Sequence, residues 1–321
     1  MWKKYLFLTK PGILFGNFIT TLGGFFLAAQ GSIDVLLLLL TLIGTTFVVA
    51  SGCVVNNVID QDIDQKMQRT MNRALVKKTI SPTIAMCYAF VLGAIGFSML
   101  WFYVNAYAFL FAVIGFVVYV GFYSLWTKRT TIHQTVIGSI SGASPPVIGY
   151  TAVSGQFDVA ALLIFVAYAL WQMPHSWAIA IYRFDDYKNA GVPILPVARS
   201  ILRTKIESLI YVVLFTVAMN ALYVYGYTNL IFLVICNALC IYWFYIGILG
   251  FKAEDDQLWA KRFFLFSVIL ITVISLSLSF TFKSPAPFLP IFFFFLDISV
   301  FLFPSPLVII SRNKNISSFI A

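Results

Sequence analysis

The sequence predicts an all-α, polytopic transmembrane bundle of nine helices. Of 321 residues, 61% are apolar and only 10% are charged, against norms of roughly 45–50% and about 25% for soluble chains. Mean hydropathy is +0.93, and the apolar residues fall in runs of about 20, the length that crosses a bilayer. Spans this numerous leave no stretch for a soluble catalytic domain, so any chemistry belongs to the bundle and its loops.

In chain order the apolar runs are 11–30, 34–57, 82–103, 105–125, 133–153, 158–182, 205–225, 227–250 and 261–282. The fifth holds Ser141, Ser144, Pro145 and Pro146 and is expected to be kinked or non-helical, because each proline removes an i→i−4 hydrogen bond. Beyond Lys283 the prolines Pro285, Pro287, Pro290, Pro304 and Pro306 interrupt an apolar tail that still has the length to touch the bilayer. The expected organisation is therefore one body, 1–282, and an atypical tail, 283–321, with room for a tenth, broken segment.

The 21 Lys+Arg and 12 Asp+Glu give a net charge of +9. With the N-terminus cytoplasmic, 18 of the basic residues, from Lys3 to Arg262, fall on one side, three fall in the tail and none falls in the opposite loops. That is the positive-inside pattern, so the charge is a topology signal and no nucleic-acid partner is expected. Leu27-Ala28-Ala29 resembles a signal cleavage site, but Lys10-Pro11-Gly12 interrupts the apolar region ahead of it, and no Arg/Ser-rich leader precedes Trp2. The expected location is the bacterial inner membrane, with lipid as a partner. The four cysteines, Cys53, Cys87, Cys236 and Cys240, lie in apolar runs without a CxxC pair and are expected to be small apolar residues, not disulfides or zinc ligands.

Three of the few acids stand together where the second span ends, in Asn56-Asn57-Val58-Ile59-Asp60-Gln61-Asp62-Ile63-Asp64. Asn56, Asp60 and Asp64 recur at i, i+4 and i+8, which on a helix is one face with neighbours about 5–6 Å apart; Asp62 points elsewhere. Each charge near the membrane costs on the order of 2.5–3.5 kcal/mol, so the pair of carboxylates needs a cation. Hard oxygen donors completed by substrate phosphate and water suit Mg²⁺. Arg69 and Arg73 follow one turn apart, and guanidiniums clamp phosphate oxygens bidentately. Together they outline a site for a leaving diphosphate. The alternative is a solvated helix end whose acids pair with Lys66, Arg69 or Arg73. A second acidic loop carries Asp185 and Asp186, which could hold another ion.

The Asn-x-x-x-Asp-x-x-x-Asp pattern at 56–64, followed by Met67, Arg69, Thr70 and Arg73, resembles the first motif of the UbiA-type intramembrane prenyltransferases, which transfer an isoprenoid from its diphosphate to an acceptor. Quinone-pathway members carry a second Asp-x-x-x-Asp, whereas here Asn189 and Ala190 stand four residues after Asp185 and Asp186. Asp186-Tyr187 with Ala190-Gly191-x-Pro193-x-Leu195-Pro196 is instead similar to the heme O synthase branch. So are Trp171-Gln172-Met173-Pro174-His175-Ser176-Trp177, Gly138-x-x-x-Gly142-Ala143-x-Pro145-Pro146-x-x-Gly149-Tyr150, and Trp259-Ala260-x-x-x-Phe264-x-x-Ser267. The resemblance covers about 9–280 and omits the tail.

It implies that farnesyl diphosphate, heme b and water give heme O and diphosphate. By the same resemblance Asn56, Asp60 and Asp64 are catalytic and hold Mg²⁺, and Asp186 holds a second ion. Arg69 and Arg73, helped by Lys128 and Arg129, bind the diphosphate. A heme acceptor invites a histidine ligand. Of the two histidines, His175 is the candidate, because an ionisable group inside a span is costly unless it faces a cavity; His133 is expected at the interface. A downstream heme-processing enzyme or oxidase-assembly partner would take the product. The alternative acceptors are a quinone precursor or a chlorin. A rival of another class is an ion-coupled secondary transporter, whose sites lie nearer the bilayer midplane.

Overall fold

Nine long helices make up the body of the chain in the computed structural model, which describes residues 2–281; the tail and the expected boundary before it lie outside the described residues. They are α1 (Pro11–Ala29), α2 (Val35–Ile59), α3 (Pro82–Tyr103), α4 (Ala106–Thr130), α5 (Gln134–Ser154), α6 (Val159–Tyr182), α7 (Ile201–Val224), α8 (Leu230–Leu249) and α9 (Asp256–Ser277). Among the described residues, eight of these are long and apolar enough to cross a membrane.

Most helix starts are set by a side-chain cap. Asp34, Ser81, Asn105, Asp158, Ser200, Asn229 and Asp255 each accept a hydrogen bond from a backbone N–H two or three residues on, satisfying a donor that the helix leaves open. The caps explain why α7 and α9 begin at 201 and 256, a few residues ahead of the apolar runs. They also account for several of the acids: Asp34, Asp158 and Asp255 are caps, while Glu207 and Asp256 pair with Arg203 and Lys205. What capping and local pairing leave over is chiefly the 60–64 cluster and the 185–186 pair.

The ninth helix, α5, is the least expected and the most central. It runs unbroken through Pro145 and Pro146, and every residue from Ala143 to Ala152 is buried. It packs against α1, α2, α4 and α6, so protein rather than lipid surrounds it, which is why serine, glycine and proline serve there. Its contact with α1 is backbone on backbone: a Cβ on Gly24 would stand 1.8 Å from the Pro146 carbonyl oxygen, and one on Gly149 would stand 1.9 Å from that of Thr21. The α2–α3 crossing is similarly close, with a Cβ at Gly96 falling 2.7 Å from Gly44 O.

Within α4, residues Val118–Thr127 widen into a π-helix, a departure frequent at functional sites. Ser124 and Thr127 hydroxyls donate to the Tyr119 and Phe122 carbonyls at 2.7 and 2.9 Å, each five residues back. The widened segment ends at Lys128, beside the end of α2. The cysteines are free, Cys53, Cys236 and Cys240 buried as expected and Cys87 exposed on the outer face of α3.

Gly24→Val should therefore lower the melting temperature in detergent markedly, by the roughly 1–3 kcal/mol or more of an overpacked core. Gly12→Ala, where a Cβ meets nothing within 4 Å, should leave it unchanged or slightly higher.

Candidate active site

A cavity of about 1340 Å³ opens between α1, α2, α4, α5, α6 and α9, and both the acidic motif and His175 line it. At its basic end, Asn56 in the last turn of α2, Asp60 capping that helix and Asp64 in the following turn (Gln61–Asp64) are all buried. The i→i−4 bonding continues across the break at Asp60, with Asp60 N–H donating to Asn56 O at 2.9 Å and Asp64 N–H to Asp60 O at 2.8 Å. The i, i+4, i+8 face thus forms, and Asp62 points away with its side chain 62% exposed.

Asp60 is the centre of the cluster. Its Oδ2 accepts from Asn56 Nδ2 at 2.8 Å and from the Lys128 ammonium. Its Oδ1 is buried without a hydrogen-bond partner, and Arg129 Nη2 stands 3.6 Å from it. Asn56 Nδ2 also donates to Ser124 Oγ at 2.8 Å, and its Oδ1 accepts from the Lys10 ammonium. Asp64 takes Arg73 Nη1 at 2.5 Å, and the same nitrogen donates to Asn57 Oδ1 at 2.9 Å.

The expected basic residues divide by what they touch. Arg69, Arg73 and Lys128 line the cavity. Arg69 is exposed there and has no carboxylate partner among the described residues. Arg129 is brought beside the acids but stays outside the cavity wall. It grips Asp62 through two bonds of 2.6 and 2.8 Å and donates to Ile59 O at 2.9 Å, which holds the Asp62 carboxyl below its usual range. Its place is that of a brace on the acidic turn rather than a direct phosphate ligand. Asp186 is likewise buried off the cavity wall, its Oδ1 accepting the Gln68 N–H at 2.7 Å, so it latches the second loop to the first.

Lys10 is the residue that sequence reasoning missed. It is half-buried, lines the cavity, and desolvation pushes its ammonium down to about 8, a cost that a bound anion would relieve. Its signal, a lysine fused to Pro11 at the head of the first span, was absorbed into the topology argument. Lys4, Lys10, Arg69, Arg73, Lys77 and Lys128 line this end against two carboxylates, Asp60 and Asp64. A surplus of cations around a buried acid pair is complementary to a polyanion.

No group of three or more His, Cys, Asp or Glu side chains is close enough to hold a metal by itself among the described residues. The unpartnered Oδ1 of Asp60 and the second oxygen of Asp64 nevertheless fit a Mg²⁺ that takes one or two carboxylates and completes its shell with phosphate and water.

His175, on α6, faces the cavity from the other side. Its ring stacks on Trp171 at 4.4 Å and 28° and leans on Phe264 at 5.1 Å. Its Nδ1 is 2.8 Å from Ser267 Oγ. Tyr119, Tyr123 and Phe116 line the cavity wall between the two ends. His133 is exposed at the start of α5, as expected, and lies off this cavity.

The profile of the UbiA prenyltransferase family matches residues 17–270. The chain belongs to that family. A protoheme IX farnesyltransferase of Acinetobacter baumannii is 82% identical over 275 residues, covering 86% of this chain and 94% of that one. Its namesake in Acinetobacter baylyi is 78% identical over the same shares. A protoheme IX farnesyltransferase 2 of Pseudomonas entomophila is 51% identical over 85% of this chain and 92% of its own. Among solved structures, a UbiA homolog from Archaeoglobus fulgidus bound to GPP and Mg²⁺ superposes with a TM-score of 0.68 at 17% identity, over 86% of this chain and 99% of that one. A digeranylgeranylglyceryl phosphate synthase does so with 0.70 at 22%, over 87% and 97%. The UbiA fold is thus shared, and the protein is a polytopic membrane prenyltransferase.

If Lys10 meets the diphosphate, Lys10→Met should raise the KM for a prenyl diphosphate ten- to a hundredfold, the loss of a charge-assisted hydrogen bond of about 1.5–3 kcal/mol. Initial rates against diphosphate concentration measure it, and an unchanged KM would remove Lys10 from the site.

Proposed function

We propose that this UbiA prenyltransferase joins the farnesyl group of farnesyl diphosphate to a vinyl group of heme b with addition of water, giving heme O and diphosphate. The observation that carries this is a single cavity with a cation-rich acidic end and, across its aromatic wall, a stacked imidazole. The names of the Acinetobacter and Pseudomonas relatives support the same acceptor. A quinone precursor would leave His175 without a use.

Lys10, Arg69, Arg73 and Lys128 bind the diphosphate oxygens and stabilise the charge that grows as the C1–O bond breaks. Asp60, Asp64 and Asn56 would hold Mg²⁺, and Asp186 would offer a second ion its Oδ2. Such ions, when bound, neutralise the leaving diphosphate. Arg129, through Asp62, keeps the acidic turn in place. The apolar and aromatic wall carries the isoprenoid and keeps bulk water from the allylic cation, whose charge suits π-faces at about 0.5–2 kcal/mol per ring. His175 orients the heme so that its vinyl carbon meets C1 of the farnesyl cation. A new C–C bond forms, the positive charge moves to the vinyl carbon next to the macrocycle, and water adds there with loss of a proton to leave a hydroxyethylfarnesyl group.

We place the protein in the bacterial inner membrane with the basic end facing the cytoplasm, where the positive-inside rule puts it and where a water-soluble diphosphate is released. A downstream heme-processing enzyme or oxidase-assembly partner would receive the product.

Purified protein given heme b, farnesyl diphosphate and Mg²⁺ should yield a heme heavier by a farnesyl group plus water, and EDTA should abolish it; prenylation of a quinone precursor but not heme would overturn the acceptor. Asp60→Ala and Asp64→Ala should each lower turnover by 100-fold or more with the protein still inserted. For orientation, Lys66→Cys should resist an impermeant maleimide in intact cells while Ser32→Cys reacts, and the reverse pattern would invert the topology.

A further inference from the structure

Ser267, on α9, is buried at 0% exposure against the stacked imidazole. Two of its three hydrogen bonds reach that ring system and the third reaches the backbone beside it. Its hydroxyl lies 2.6 Å from the Phe264 carbonyl oxygen and 2.8 Å from His175 Nδ1, and its own carbonyl accepts the Trp171 indole N–H at 3.1 Å. A hydroxyl has one proton to donate. A carbonyl oxygen can only accept, and at 2.6 Å two oxygens without a proton between them would repel. The Ser267 proton is therefore directed at Phe264 O, and toward His175 the serine can only accept.

From this geometry we infer that Ser267 is a positioning residue that holds His175 as its Nδ1–H tautomer and leaves the Nε2 lone pair facing the cavity. Neutral imidazole in water favours the opposite form, with the proton on Nε2, so the serine reverses the intrinsic preference. Trp171, stacked on the ring and itself tied to Ser267 O, prevents a ring flip that would exchange the two nitrogens. No protein group bonds Nε2 among the described residues, so its lone pair is free for an electron-pair acceptor. A histidine that ligates iron needs this form: one nitrogen bare toward the metal and the other N–H donated to a neighbouring acceptor. The inference deepens the heme reading above and rests on it for the identity of that acceptor, whereas the tautomer itself is a property of the free protein.

The chain has only two histidines, so a His133→Gln variant labelled with ¹⁵N-histidine reports His175 alone. In detergent at neutral pH, Nδ1 should give the protonated and Nε2 the unprotonated nitrogen shift, and Ser267→Ala should move the population toward Nε2–H. Protonated Nε2 in the parent would overturn the proposal without any need for the serine variant to fold. A heme b titration followed by absorbance separates the two claims. Ser267→Ala should weaken ligation about 10- to 100-fold, in line with the loss of other metal-supporting hydrogen bonds, and Ser267→Thr, which keeps the hydroxyl, should restore it. Ligation lost in His175→Ala but equal to the parent in Ser267→Ala would contradict the positioning role. A spectrum unchanged in His175→Ala would overturn the heme reading and leave the tautomer to the nitrogen shifts.

Discussion

A carboxylate withdrawn from water must be neutralised where it stands, and Asp60 is withdrawn almost completely, with 1% exposure. Removing one ion from water costs several kcal/mol even after relaxation. Three cations from two parts of the chain answer that cost. Lys128 binds it directly from the end of the π-helical stretch of α4, Arg129 stands behind it, and Lys10 reaches it through Asn56 from the head of α1. The ends of α1, α2 and α4 are thereby tied to one side chain. The remaining unpartnered oxygen leaves the same carboxylate open to a divalent ion, which is why we propose that the interaction organising this end of the bundle also prepares it for a diphosphate.

The rest of the fold serves to keep the cavity beside that carboxylate open yet walled. Helix α5 is enclosed by its neighbours, and the glycine contacts at Gly24 and Gly149 bring α1 and α5 to backbone distance at the deep end. Toward the basic end a Cβ on Gly12 or Gly16 would meet nothing within 4 Å, and both glycines line the cavity. Close packing at one end and open space at the other suit the apolar tail and the polyanion of the substrate we propose. Helix α9 closes the opposite wall, and Ser267 fixes both the imidazole and the indole that face inward.

Much of this was legible in the residues because membranes impose simple rules. Span length, the one-sided Lys and Arg, and the i, i+4, i+8 face of Asn56, Asp60 and Asp64 are direct consequences of bilayer thickness, the positive-inside bias and helix period. Helix α5 was harder. A helix buried in protein needs no lipid-compatible surface, so its serines and prolines looked like an interruption. The widening at Val118–Thr127 had no sequence signal, because nothing in VYVGFYSLWT distinguishes an i→i−5 ladder from an α-helix. Lys10 and Arg129 illustrate a further limit. Lys10 was counted only among the topological charges and Arg129 was also expected to help bind the diphosphate; only their tertiary partners, Asn56 for one and Asp62 for the other, separate a cavity cation from a brace. Ser267 belonged to a recognisable pattern, but its purpose depends on a ring 92 positions earlier in the chain.

On this geometry the buried acid pair, and Asp60 Oδ1 above all, should receive the metal of a metal–diphosphate complex. A structure of the protein with Mn²⁺ and non-hydrolysable farnesyl thiodiphosphate tests it, since manganese is located by its anomalous signal. A peak bonded to Asp60 Oδ1 and to Asp64 is expected, with diphosphate oxygens shared among Lys10, Arg69, Arg73 and Lys128. Diphosphate bound by those cations with Asp60 and Asp64 still paired only to Lys128 and Arg73, and manganese elsewhere, would contradict it.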